Sequence, residues 1–275
     1  MNPNFPSLAF VGGGNMARSL IAGLVARGQD PAAIRVSEPD ATLRDGLARA
    51  FGVSVFDSGV EAVADAGLWV LAVKPQVLPE ICSALAPQAQ AQKPLVISVA
   101  AGATTSQLDR WLGGGLAIVR AMPNTPALIG MGITALYANA DARLDQRERA
   151  AGLLAAVGPT VWIDEEEHMD AVTAVSGSGP AYLFLLAEAM AAAGIAQGLS
   201  KVVAQALVQQ TLHGAARMLV ELPEPAEVLR QRVTSPGGTT EAAIQALEGG
   251  GFRALVGAAI DAATRRGAEL SASNG

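Results

Sequence analysis

The chain is short of the side chains that most often carry chemistry. It has one cysteine, two histidines, and aromatics at only 4% of its 275 residues. A single thiol, Cys82, excludes an intramolecular disulfide. So few histidines and cysteines supply no zinc cluster, and the acids show no calcium-loop spacing, so no metal is expected. Charge is also scarce: charged residues are 16% and sum to −6. A basic face for a phosphate backbone is missing, so nucleic acid is not an expected partner. The opening stretch, MNPNFPSLAFVGGGN, has no basic n-region and no long apolar h-region, so no signal peptide is expected and the cytoplasm is the expected location. The most apolar run, residues 181–196, is interrupted by Glu188 and closed by Gln197. It is short for a membrane span and reads as a buried helix, so no membrane partner is expected.

What is present is small and apolar. Hydrophobic residues reach 51%, which excludes a disordered chain. With so few aromatics, that content is mostly Ala, Val and Leu, which suits closely packed helices. A mean hydropathy of +0.33 is high for a soluble monomer, and burial in an oligomer is the simplest reason for it.

The first two-thirds alternate strand and helix. LAFVG, IRVS, VSVF, LWVLAV, LVISVA and LAIVRAM are near-continuous apolar runs, as in a parallel sheet covered on both faces. Helical patterns lie between them, which indicates βαβ units. Asp40 is placed to cap one helix, and Ser58 with Glu61 has capping-box spacing for the next. GITALYA and TVWI add further strands around a helix at about 145–157. Beyond residue 165 the strand signal ends. Helices are expected over 178–197, over 200–222 and from about 239.

Several segments fall together at the carboxyl edge of that sheet, where open α/β folds bind ligands. Gly12, Gly13, Gly14, Asn15, Met16 and Ala17 spell G-x-G-x-x-A between a strand and a helix. Glycines there let backbone approach a pyrophosphate, and the helix start offers free N–H groups. The same string also serves any tight β–α turn. Glu38, about twenty residues on, is placed for the adenosine ribose hydroxyls and would repel a 2′-phosphate. Ser37 could instead donate to that phosphate, and an exposed loop acid remains open for Glu38. Lys74 follows Ala72 and Val73, and Pro75 then opens a helix. Ala100, Ala101 and Gly102 leave room for a flat ring, and Asn124 sits in a stiff loop between two prolines. In the helical part, Ser235, Gly237, Gly238, Thr239 and Thr240 form a glycine-rich helix start. It suits an anion, and equally suits ordinary capping.

Taken in order, the strings FVGGGNMA, LAVKPQ, SVAAG, MPNTPALIG, DAVTAVSGSGPAY, VTSPGGTTEAA and GGFRALV resemble pyrroline-5-carboxylate reductase. They run from Phe10 to Val256, so nearly the whole chain is covered. The pair SGSGPAY and TSPGGTT is the specific part. The resemblance implies an α/β Rossmann-type parallel-sheet domain over 1–165 and an all-α dimerisation and substrate-binding domain over 166–275. It implies intertwined homodimers, often assembled into decamers. The implied reaction is the NADPH- or NADH-dependent reduction of 1-pyrroline-5-carboxylate to L-proline, the last step of proline biosynthesis.

By motif, the resemblance assigns Gly12 to Ala17 to the pyrophosphate and Ala72, Val73, Lys74 and Pro75 to the adenosine and ribose side. Ala100, Ala101, Gly102 and Asn124 fall near the nicotinamide. Ser235, Gly237, Gly238, Thr239 and Thr240 bind the substrate carboxylate and ring, with Thr240 at the ring nitrogen as the catalytic group. Glu166 aligns with an acid near the substrate, beside His168. Two departures bear on the cofactor. NADPH-using members often carry Ser, Thr or Arg after the second strand, where this chain has Glu38. Many also carry Asn before the third helix, where it has Gly59. The family leans to NADPH, and these residues leave NADH open. A β-hydroxyacid reductase would need a catalytic lysine in the helical domain, where only Lys201 stands. A cofactor sensor without turnover would have no use for TSPGGTT.

Overall fold

The computed structural model describes Phe5 and residues 7–273. Eight strands, β1 (Leu8–Val11), β2 (Ile34–Ser37), β3 (Ser54–Phe56), β4 (Leu68–Leu71), β5 (Leu95–Ser98), β6 (Ala117–Met122), β7 (Thr134–Ala138) and β8 (Thr160–Trp162), form one sheet. Their order is β3-β2-β1-β4-β5-β6-β7-β8. All neighbours are parallel except β6 and β7. That exception has a local cause. The segment between them holds only a 3-10 turn at Thr125–Ile129, and without a crossover helix the chain returns antiparallel.

The strands alternate their side chains between two cores. One face buries Leu8, Phe10, Val36, Val70, Ile97 and Val119 under α1 (Asn15–Ala26) and a later helix over Leu144–Leu154. The other buries Ala9, Val11, Trp69, Leu71, Val96 and Ile118. Helices on both faces explain why the strands are apolar throughout. In chain order the remaining helices here are α2 (Ala41–Phe51), α3 (Gly59–Val63), α4 (Leu78–Gln92), α5 (Thr105–Trp111), α6, which is that Leu144–Leu154 helix, and α7 (Met169–Val172). Asp40 caps α2, accepting from the Leu43 N–H at 2.9 Å. The Ser58–Glu61 box does not form: α3 has no side-chain cap. With only five residues, α3 is closed instead by backbone bonds such as Ala62 N–H to the Ser58 carbonyl, 3.1 Å. A reciprocal capping box forms on α5, between Thr104 and Gln107.

The chain divides into two compact units: residues up to Ser178 with those from Ala262 onward, and Gly179–Asp261. The helices of the C-terminal third are α8 (Gly179–Ala196), α9 (Lys201–Glu221), α10 (Ala226–Arg232), α11 (Thr239–Gly249) and α12 (Phe252–Ser273). Ser200 caps α9 through the Val203 N–H, 3.3 Å. The apolar α8 is not buried within one chain. It packs against α9, yet none of its residues is buried, and Leu183, Phe184 and Leu185 are each more than half exposed. A helix apolar all round needs cover on every side, and one neighbouring helix covers one side. The continuous helical run Glu166–Ala196 is also longer than expected, and by length and composition it could cross a bilayer.

Cys82 is a buried residue of α4, and burial pushes its thiol up to about 12 from 9.0. Burial disfavours the thiolate, so the folded state resists deprotonation. The thiol should fail to react with a disulfide reagent at pH 8 in the folded protein and react fully in denaturant. Its contribution to stability is complete below pH 9 and is lost as pH rises from about 9 toward 12, where only the unfolded chain ionises. Equal labelling rates in folded and unfolded protein would overturn this placement.

Candidate active site

β1 ends at Val11 and the chain turns at Gly12 with φ +100°. A Cβ there would stand 2.7 Å from the Ala72 carbonyl oxygen and 2.9 Å from Val73 Cγ1. Only glycine fits so close a crossing. The Gly12 N–H donates to the Ser37 carbonyl at 2.9 Å. A Cβ on Gly13 would meet Leu47 Cδ1 at 2.6 Å and Glu38 Cβ at 3.1 Å. Gly14 is exposed and caps α1, which has no side-chain cap and no acid in its first turn. The first N–H groups of α1 are thus left for an anion. The glycine turn and the Ala72–Val73 pair meet between β1 and β4, where the strand order reverses, which is where doubly wound sheets bind ligands. Lys74 is exposed beside them, and Pro75 opens a 3-10 turn, Pro75–Val77, ahead of α4.

Glu38 is turned toward the glycines. Its Oε2 accepts from the Gly13 N–H and its Oε1 from the Asp40 N–H, each at 3.0 Å. The side chain is therefore oriented by backbone on both oxygens and does not wave free on a loop. Arg44 lies over the same loop, donating from Nη1 to the carbonyls of Glu38 at 2.8 Å and Pro39 at 3.2 Å. Ser37 is buried within β2, its Oγ facing Gly59.

On the far side of the sheet edge, Ala100 and Gly102 are buried and Ala101 is half-buried. The Asn124 amide is taken up by the chain. Its Oδ1 accepts from the Ile133 N–H at 3.0 Å, and its Nδ2 donates to the Ser176 carbonyl at 3.3 Å. It stitches the loop after β6 to a π-helical turn, Thr173–Gly177, which runs into the SGSG segment. Gly177 allows that fit, since a Cβ would fall 2.5 Å from Met122 Cε. π-turns of this kind occur often at functional sites.

Of the acidic run, only Glu166 turns inward; Glu165 and Glu167 are exposed. Glu166 accepts from the Thr105 N–H and the Thr105 hydroxyl, each at 2.7 Å, and from Arg120 Nη1 at 3.3 Å. His168 is at the surface, 3.5 Å from Glu165. Sequence reasoning had passed over Thr105 and Arg120. The available signal was Arg120 itself, a lone charge inside the apolar strand LAIVRAM, which must find a partner when buried.

The second unit holds TSPGGTT. The Gly238 N–H donates to the Ser235 carbonyl at 3.0 Å, and Gly237 takes φ +70°. Gly238 then caps α11 without a side-chain bond, with Thr239 and Thr240 in the first turn. One amide of this nest, Gly237 N–H, is held by Glu241 Oε2 at 2.7 Å. The nest thus already cradles a carboxylate oxygen from its own helix.

A doubly wound sheet with a glycine cradle at its reversal point and an uncapped helix start defines a dinucleotide-binding α/β protein. A family model described as pyrroline-5-carboxylate reductase dimerisation matches residues 166–270, and one described as NADP oxidoreductase coenzyme F420-dependent matches residues 7–102. The pyrroline-5-carboxylate reductase of Pseudomonas aeruginosa is 52% identical over 267 residues, 97% of each chain. That of Haemophilus influenzae is 42% identical over 96% of this chain and 97% of its own. Among solved structures, a pyrroline-5-carboxylate reductase from Coxiella burnetii superposes with a TM-score of 0.93 at 43% identity, covering 98% of this chain and 99% of that one. Pyrroline carboxylate reductase of Plasmodium falciparum, solved with NADP bound, gives 0.84 at 28% identity over 96% and 98%. The chain belongs to the pyrroline-5-carboxylate reductase family.

Glu38 places a carboxylate beside the glycine turn, and Arg44, from α2, lays a guanidinium over the same loop. Glu38→Ser should remove the repulsion and keep the cation. The NADPH/NADH ratio of kcat/KM is expected to rise about tenfold, roughly 1.4 kcal/mol. An unchanged ratio would remove Glu38 from cofactor choice.

Proposed function

We infer that the chain reduces 1-pyrroline-5-carboxylate to L-proline with NADPH or NADH, as the last step of proline biosynthesis in the cytoplasm. The observation that carries this is the glycine cradle at Gly12 in a chain whose likeness to reductases of this name is end to end. We read residues 1–165 as the dinucleotide-binding domain and 166–275 as the dimerisation and substrate domain. We assign the exposed apolar face of α8 to a homodimer contact, since residues 166–270 match a dimerisation model. A decamer is the larger assembly that the resemblance implies. Membrane and nucleic acid have no part in this reading.

The residues fit the cofactor. Gly12 and Gly13 leave a cradle that a Cβ would fill, and the N–H groups at the start of α1 suit its pyrophosphate. We assign Gly12, Gly13, Gly14, Asn15, Met16 and Ala17 to that group. Ala72, Val73, Lys74 and Pro75, with Ser37 and Glu38, go to the adenosine and ribose. Ala100, Ala101, Gly102 and Asn124 go to the nicotinamide side. When bound, the cofactor supplies a hydride from its nicotinamide C4 to the imine carbon.

The chain has two grips on the substrate. Ser235, Gly237, Gly238 and Thr239 hold the substrate carboxylate by amides and hydroxyls. Thr240 places its hydroxyl at the ring nitrogen, where one proton completes the change from C=N to CH–NH. Both grips orient an imine that is already electrophilic when protonated, so positioning and electrostatics supply most of the rate.

Steady-state turnover with each cofactor in turn, with proline identified as product, tests the reading. No turnover with either, despite cofactor binding, would sink it. Thr240→Ala is expected to lower kcat about a hundredfold while cofactor affinity holds. Equal turnover in variant and parent would overturn the role given to Thr240.

A further inference from the structure

The Glu166 carboxylate accepts three hydrogen bonds from two other segments of the first unit. Both oxygens are engaged: the Thr105 N–H and hydroxyl at 2.7 Å, and Arg120 Nη1 at 3.3 Å. The Arg120 side chain is only 5% exposed and that of Glu166 19%. Arg120 Nη2 also lies 3.9 Å from Asp170. Asp170 in turn is 3.5 Å from the Ser271 hydroxyl, and Gln107 Nε2 donates to the Ser271 carbonyl at 3.1 Å. The network therefore joins the start of α5, the middle of β6, α7 and the end of α12, all in one unit.

Its placement is informative. The segment 100–103 leaves β5 at Ser98 and must be pinned again where α5 begins. Thr104 is the N-cap, tied to Gln107 in a reciprocal pair: Gln107 N–H to the Thr104 hydroxyl at 3.2 Å, and Thr104 N–H to Gln107 Oε1 at 2.8 Å. The next residue, Thr105, is the one Glu166 grips with two bonds. The same carboxylate reaches Arg120, which stands on β6 two residues before Met122 and the Asn124 loop. One acid thus fixes the two segments assigned to the nicotinamide side relative to each other. A buried ion pair is weak evidence for stability, and its best-attested use is to specify one geometry.

We propose that Glu166 is a positioning residue. Through Thr105 and Arg120 it holds the 100–103 loop in register with β6, and so holds the nicotinamide ring for transfer. It does so without touching substrate. This rests on the reading of Ala100, Ala101 and Gly102 as the nicotinamide side.

The test uses Thr105→Val, which keeps the shape and the N–H but removes the hydroxyl, and Thr105→Ser, which restores the hydroxyl. Glu166→Gln is the charge-removing companion. Hydrogen exchange of amides 100–105 in the full-length protein without cofactor is expected to quicken in Thr105→Val and Glu166→Gln and to stay parental in Thr105→Ser. The kcat should fall about ten- to a hundredfold in the first two. Cofactor Kd should stay within about threefold of the parent, because the pyrophosphate and adenosine grips lie away from this loop, and imine KM should hold. The isotope effect with 4-deuterated cofactor should rise as transfer becomes slower. Parental kcat in Thr105→Val would overturn the proposal, whatever the exchange shows. So would equal impairment of Thr105→Val and Thr105→Ser. A raised imine KM in Glu166→Gln, with Thr105→Val silent, would instead make Glu166 a substrate ligand. A parent that turns over no imine with either cofactor fails the functional reading, and the exchange arm then still decides whether Glu166 fixes the loop.

Discussion

The fold turns on a crossing too tight for a methyl group. Gly12 passes so near the end of β4 that a Cβ would stand 2.7 Å from the Ala72 carbonyl oxygen. Steric exclusion alone confines this position to glycine, and the φ of +100° adds a second reason. The crossing joins β1 to β4 at the reversal of strand order. It also aims the start of α1 at the crevice, and brings Gly13 against Glu38. One alanine here would therefore act on the sheet, on the anion cradle and on the orientation of an acid at once. Three features read separately in the sequence are in the structure consequences of one close approach.

The second constraint is electrostatic. Arg120 is 4% exposed in the middle of a strand that is otherwise apolar. An unpaired charge there would be intolerable, and breaking such a pair typically costs about 3–5 kcal/mol. Glu166 and Asp170 answer it from a segment more than forty residues downstream. Residues 166–178 are held to the sheet unit in part by this demand.

What was legible in the sequence follows from how local each signal was. Strands read well because burial on both faces made them continuous apolar runs. The glycine turn read well because its strand and helix flank it directly. Asp40 read well because a cap bonds three residues ahead. The Ser58–Glu61 spacing misled, because spacing states only that a reciprocal bond is possible, and a five-residue helix closed itself with backbone bonds. The antiparallel step to β7 depends on the absence of a crossover helix. The π-turn at Thr173–Gly177 depends on packing against Met122 and Asn124, which no periodicity records. The apolarity of α8 states that the helix needs cover without saying which chain provides it.

The scarcity of titratable groups then has a physical reading. Reduction of a protonated imine needs no nucleophile and no tuned base, so the site can be built from amides, hydroxyls and small residues. Three acids in segments assigned to cofactor or substrate, or beside them, are bound to the protein: Glu38 by Gly13 and Asp40 and Glu166 by Thr105 and Arg120 in the first unit, and Glu241 by Gly237 in the second. Each is held by at least one backbone N–H, which fixes direction as well as distance. An acid so held is a good anchor. In this chain the ionised side chains set where loops lie, and the uncharged loops they set are the ones assigned to cofactor and substrate.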